Sequence, residues 1–157
     1  MADEFHIEMR LLSQLKYVCA ARTAMAEAGK KLGLDEGQCH HVSLAISEAL
    51  ANVIHHGYGD DDTRPIWVRM RPAHDGAAPG IEVVVEDECG EVDLSAIRSR
   101  PLDEVRPGGL GVHIIREVMD EVHYELRENG EGVRLRMTKF ADTESNPAAS
   151  AQKGKAS

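Results

Sequence analysis

The chain of 157 residues carries 18 basic and 27 acidic side chains, for a formal net charge of -9, with 42% hydrophobic but only 4% aromatic residues. This length fits one globular domain with a core of Leu, Ile, Val, Met and Ala, and the acidic balance argues against direct nucleic-acid binding, which draws its affinity from Lys and Arg on phosphates. Cys19, Cys39 and Cys89 form no Cys-x-x-Cys pair, and the sequence shows neither a leader-like start nor an apolar run of about 18 residues, so it predicts a soluble cytoplasmic protein without a membrane partner.

Phe5–Leu12 alternates apolar and polar residues and predicts a half-buried strand. Ser13 offers an N-cap to an Ala-rich helix that Gly33 ends. Asp35 and Gln38 have the spacing of a capping box and open a second helix. Its apolar stripe is Val42, Ala45, Ile46, Ala49, Leu50 and Val53, closed by Gly57 and Gly59. "PIWVRMRP" (65–72) predicts a strand with Trp67 on the same side as Arg69 and Arg71. A turn through "HDGAAPG" leads to "IEVVVED" (81–87), whose continuous apolar run predicts a more buried strand. Residues 91–107 are irregular, a helix runs from the glycines near 108–111 to about Asp120, and "VHYELRE" and "VRLRMTKF" form a closing hairpin. From Ala141 the chain lacks large apolar residues, which predicts a folded domain over 1–140 and a disordered tail over 141–157. The order β-α-α-β-β-α-β-β predicts an α/β (α+β) fold: a two-layer sandwich with a mixed, mostly antiparallel sheet covered on one face by helices.

Three groups of residues carry possible chemistry. Glu48 and Asn52 stand four apart on the second helix and share one face. Their oxygens suit a magnesium ion, the carboxylate suits proton acceptance from a hydroxyl, and an exposed solvated pair is the plain alternative. Asp87 ends the buried strand, where a carboxylate can accept from an exocyclic amine or bond its own turn. Gly108, Gly109 and Gly111 precede a helix, either as a cap or as a cradle for phosphate at its N-terminus. The consecutive Cys39, His40 and His41, like the pair His55 and His56, would point around a helix instead of converging on one ion.

Taken together, "EALANVIHHGY", "VVVEDECGEVD", "GGLGVHIIREVMDEV" and "RLRMTKF" resemble, in order and spacing, the GHKL (Bergerat-fold) ATP-binding domain. The resemblance spans residues 4–140 and is greatest to the small RsbW/SpoIIAB-like anti-sigma factor serine-protein kinases. It implies that Glu48 is the catalytic base, Asn52 the magnesium ligand, and Asp87 the partner of the adenine amine. Gly108, Gly109 and Gly111 are then the glycines at the end of an ATP lid over residues 91–107, with Arg98, Arg100 and Arg106 facing phosphate. Thr138 corresponds to a Thr near adenine, and His56 to a His that follows the Asn in many small members. The family pattern Asp-x-Gly is broken by Cys89. Either the backbone there is ordinary, or Gly90 takes the flexible position one residue later. A redox role for Cys89 requires a lowered thiol pKa.

The implied activity is an ATP- and Mg2+-dependent serine-protein kinase and anti-sigma factor in a partner-switching system. Its expected partners are a STAS-domain anti-anti-sigma protein, a sigma factor or other regulator, and a second copy of the chain in a homodimer. The alternative is a non-catalytic ATP-dependent binding module that sequesters its partner.

Overall fold

The computed structural model describes residues 4–90 and 109–142. Five strands, β1 (Ile7–Leu12), β2 (Pro65–Asp75), β3 (Ala78–Glu86), β4 (Glu121–Leu126) and β5 (Val133–Phe140), form one sheet in the order β1-β2-β3-β5-β4. Every neighbouring pair is antiparallel, so the sheet is not mixed. Helices α1 (Val18–Lys31), α2 (Glu36–Asn52) and α3 (Gly109–Val118) supply the helical layer among the described residues. The central place of β3 explains its continuous burial from Ile81 to Asp87.

The two faces of the sheet are built differently. Toward the helices, Ile66, Val68, Met70, Ile81, Val83, Val85, Leu135 and Met137 pack against Met25, Val42, Ala45, Ile46, Ala49 and Leu50. On the other face Trp67 does side with the arginines, its ring 4.9 Å from the Arg127 guanidinium. There Glu82 and Glu86 are only 6% and 3% exposed. Glu82 accepts from Arg71 and Arg136, and Glu86 pairs with Arg69, Arg127 and Arg134. Burial pushes both carboxyls up, but the arginines more than offset it and hold both below the usual carboxylate range.

Local signals fix α2. Asp35 accepts from the Gln38 N–H at 2.8 Å and the Gln38 side chain accepts from the Asp35 N–H at 2.9 Å, the reciprocal capping box. Gly33, with φ of +103°, lets α1 turn into it. Ser13 is not an N-cap. It is buried (1% exposed), donates to the Asp61 carbonyl at 2.6 Å, and accepts from the Arg64 N–H at 3.1 Å. The chain instead passes through a 3-10 turn (Leu15–Tyr17) before α1. At the other end, Ala141 is buried and donates to the Pro79 carbonyl, so packing continues one residue past β5. Residues 143–157 of the expected tail lie outside the described residues.

Candidate functional site

α2 does not stop cleanly after Asn52. It widens into a π-helical segment, Val53–Gly57, closed by the Tyr58 N–H on the Val53 carbonyl at 2.7 Å. Such segments recur at functional sites because they reposition the residues around them. Here the segment begins directly after Asn52. Glu48 and Asn52 are half-buried on the α2 face that meets α3.

Gly111 shows how close the two helices come. A methyl group on it would stand 2.9 Å from Asn52 Oδ1, 3.0 Å from Asn52 Nδ2 and 3.0 Å from Glu48 Oε2. The structure therefore brings Glu48, Asn52 and the first turn of α3 to one point. Gly111 lies inside α3 and supplies space there, not a left-handed backbone. The first N–H groups of any α-helix have no partner within it and carry partial positive charge. A carboxylate and a carboxamide thus lie against the N-terminal turn of α3, at a contact too close for a Cβ.

The Asp87 side chain, 5% exposed, stands at the other end of the π segment. Its Oδ1 accepts from the Cys89 N–H at 3.0 Å and the Val133 N–H at 3.2 Å, while its own N–H donates to the Val133 carbonyl at 3.1 Å. Gly132 makes this approach possible. It has φ of +95°, and a Cβ on it would stand 2.0 Å from the Asp87 carbonyl oxygen. Cys89 has no positive φ, whereas Gly90 has φ of +32°, so both conditions for replacing the family glycine are met. A methyl on Gly57 would stand 3.3 Å from Cys89 Sγ, which places the Asp87 turn against the end of the π segment. Burial, followed by the hydrogen bond and charge of Asp87, pushes the Cys89 thiol up to about 12. The thiol is therefore protonated at neutral pH, which removes the basis for a redox role.

Thr138 does not join this site. It pairs with Glu82 and Glu121 on the arginine face of the sheet. Asp87 follows Glu82 by five residues along β3, about 17 Å at the usual strand rise. An odd offset also places their side chains on opposite faces. His56 is exposed, while its neighbour His55 pairs with Asp60. Gly109 opens α3. Gly108, Arg98, Arg100 and Arg106, with the expected lid over 91–107, lie outside the described residues.

Several residues around the site carried no signal that tied them to it: Tyr58, Arg64, Gly57 and Gly132. Gly57 reads as a helix end, and Gly132 as part of the connection within the closing hairpin, and both readings are correct as far as they go. The hydrogen bonds that Tyr58 and Arg64 make to the Asp87 turn span 30 and 24 positions along the chain.

The model of the histidine kinase-like ATPase domain matches residues 11–139. The chain belongs to this family. It is 28% identical over 147 residues to the serine-protein kinase RsbW of Bacillus subtilis, with 88% of each chain covered. To RsbW of Oceanobacillus iheyensis it is 26% identical over 148 residues, covering 89% of each. Two solved structures share the fold. The RsbU and RsbW domains of Rv1364c from Mycobacterium tuberculosis match with a TM-score of 0.59 at 19% identity, over 85% of this chain and 32% of that one. The SiaB–SiaC complex from Pseudomonas aeruginosa matches with a TM-score of 0.56 at 12% identity, over 88% and 92%. No helix among the described residues is long and apolar enough to cross a membrane.

Proposed function

We propose that the chain is an ATP-dependent serine-protein kinase that phosphorylates a STAS-domain antagonist and, in its other state, holds a sigma factor or similar regulator. The observation that carries this reading is the meeting of Glu48 and Asn52 with the first turn of α3 at Gly111. Likeness to RsbW serine-protein kinases over most of the chain supports the same class of reaction.

ATP lies with its adenine toward Asp87 and its phosphates toward the N-terminus of α3, whose N–H groups and dipole favour negative charge. The donor set suits magnesium carried on phosphates, which needs only one or two protein oxygens, here Asn52 with Glu48 nearby. A bound magnesium ion supplies neutralisation of phosphate charge. Glu48 orients the serine hydroxyl and accepts its proton. The serine Oγ forms a bond to the γ-phosphorus as the bond to the ADP oxygen breaks, so positioning supplies most of the acceleration.

Labelled ATP mixed with the chain and a STAS-domain protein from the same genome tests this reading. Phosphoserine is expected on the STAS protein, and Glu48→Ala is expected to lose it by about a hundredfold or more while keeping ATP affinity. ATP binding without transfer to any STAS protein would leave a sequestering module in place of a kinase.

A further inference from the structure

The Asp87 turn is gripped by two residues from another part of the chain. The Glu88 N–H donates to Tyr58 Oη at 2.8 Å, and the Glu88 carbonyl accepts from Arg64 Nη2 at 2.8 Å. Tyr58 is buried, and its hydroxyl donates onward to the Pro65 carbonyl. The Arg64 guanidinium lies 4.6 Å from the centroid of the Tyr58 ring. Both backbones are fixed as well. The Tyr58 N–H closes the π segment, and Arg64 exchanges hydrogen bonds with Ser13 at 2.8 and 3.1 Å.

The planarity of the peptide unit gives this grip its consequence. The Glu88 carbonyl held by Arg64 and the Cys89 N–H that donates to Asp87 belong to one rigid plane. The Glu88 N–H held by Tyr58 shares the preceding plane with the Asp87 carbonyl. Rotating either plane moves a donor or the main chain of Asp87 itself. Buried carboxylates depend on such donors for orientation as well as for charge stabilisation.

We propose that Tyr58 and Arg64 are positioning residues that set nucleobase specificity by clamping the Glu88 peptide and so aiming the Asp87 carboxylate. The proposal rests on the adenine reading of Asp87. The ligand class it selects is a purine nucleotide bearing an exocyclic amine at the position that meets the carboxylate. Tyr58 also begins where the π segment ends, so the same clamp registers Asp87 against Asn52.

Binding of ATP and of purine riboside triphosphate, which lacks the 6-amino group, is measured by calorimetry for the full chain, Tyr58→Phe and Arg64→Met. The native chain is expected to favour ATP by about tenfold or more, the usual effect of one hydrogen bond to a buried charge. Each substitution is expected to shrink that preference to about threefold or less while the analogue's own affinity stays within about twofold. Arg64→Met leaves the Ser13 bonds and the buried ring in place, so it reads out the clamp even if Tyr58→Phe folds poorly. A preference for ATP that survives both substitutions, or an equal loss for both nucleotides, overturns the clamp alone. A native chain that binds the two nucleotides alike overturns the adenine reading and the clamp with it.

Discussion

The two ends of the candidate site are held in different ways. Asp87 is held largely by backbone: two N–H groups on one oxygen of its carboxylate, a strand bond to Val133, and Gly132 against its carbonyl. Glu48 and Asn52 meet α3 at Gly111, and among the described residues no hydrogen bond holds either side chain. Preorganised donors suit recognition of a base that must always be read the same way. Looser groups suit a reaction in which a phosphoryl group leaves and the contacts change. The difference predicts that a substitution that displaces the backbone around Asp87 damages the fold and affinity together, whereas one at the α3 end separates function from stability.

The largest effect belongs to Gly132→Ala. Its Cβ would overlap the Asp87 carbonyl, and alanine is strained at its φ of +95°. Strain and overpacking together are expected to cost about 3 kcal/mol or more. For a domain of this size that lowers the melting temperature by roughly 6–12 °C. Nucleotide affinity is expected to fall with it, as calorimetry and thermal unfolding would show together. An unaltered melting temperature would mean that the Asp87 end is not tightly built.

Gly111→Ala should behave in the opposite manner. The groups its Cβ would meet are the ends of flexible side chains, which can move aside. Alanine is also the better helix former by roughly 1 kcal/mol. Stability is therefore expected to hold or rise. The side chains displaced are Glu48 and Asn52, so phosphotransfer is expected to fall by about tenfold or more, since small misplacements of reacting groups are expensive. Loss of stability in step with activity would erase the contrast between the two ends.

What the sequence disclosed follows the same division. Glu48 and Asn52 were legible because four-residue spacing fixes a shared face in any helix. The Asp35–Gln38 box and β5 over 133–140 were legible for equally local reasons. Ser13 carried a local N-cap signal, but the loop at 61–64 takes its hydroxyl, a contact that chain position does not disclose. Thr138 shows a further limit. Order along the chain matched it to a family position, yet strand register and two-residue alternation place it on the other face. Gly111 was legible as special for a different reason from the observed one, since empty space next to a distant helix has no signature in its own segment. The grip of Tyr58 and Arg64 on Glu88 was illegible because both residues fit a helix end and a polar loop without it.

The smallest effect concerns Cys89, which occupies the family glycine position at the rigid end. Its thiol is pushed up to about 12 by burial first and by Asp87 second. A raised thiol pKa leaves little thiolate at pH 8, and the thiolate is the form that alkylating reagents attack. Cys89 is therefore expected to react much more slowly than exposed Cys19. Its rate should still climb steeply with pH above 9, where an ordinary thiol, already about half ionised or more, begins to level off. Asp87→Asn removes both the charge and the carboxylate acceptor, so it should lower the thiol pKa and speed the reaction, while burial keeps Cys89 slower than Cys19. Mass spectrometry of each cysteine peptide across pH 7–10 would read this out. A Cys89 rate equal to that of Cys19 would show that the Asp87 turn opens freely, making the two ends of the site equally loose.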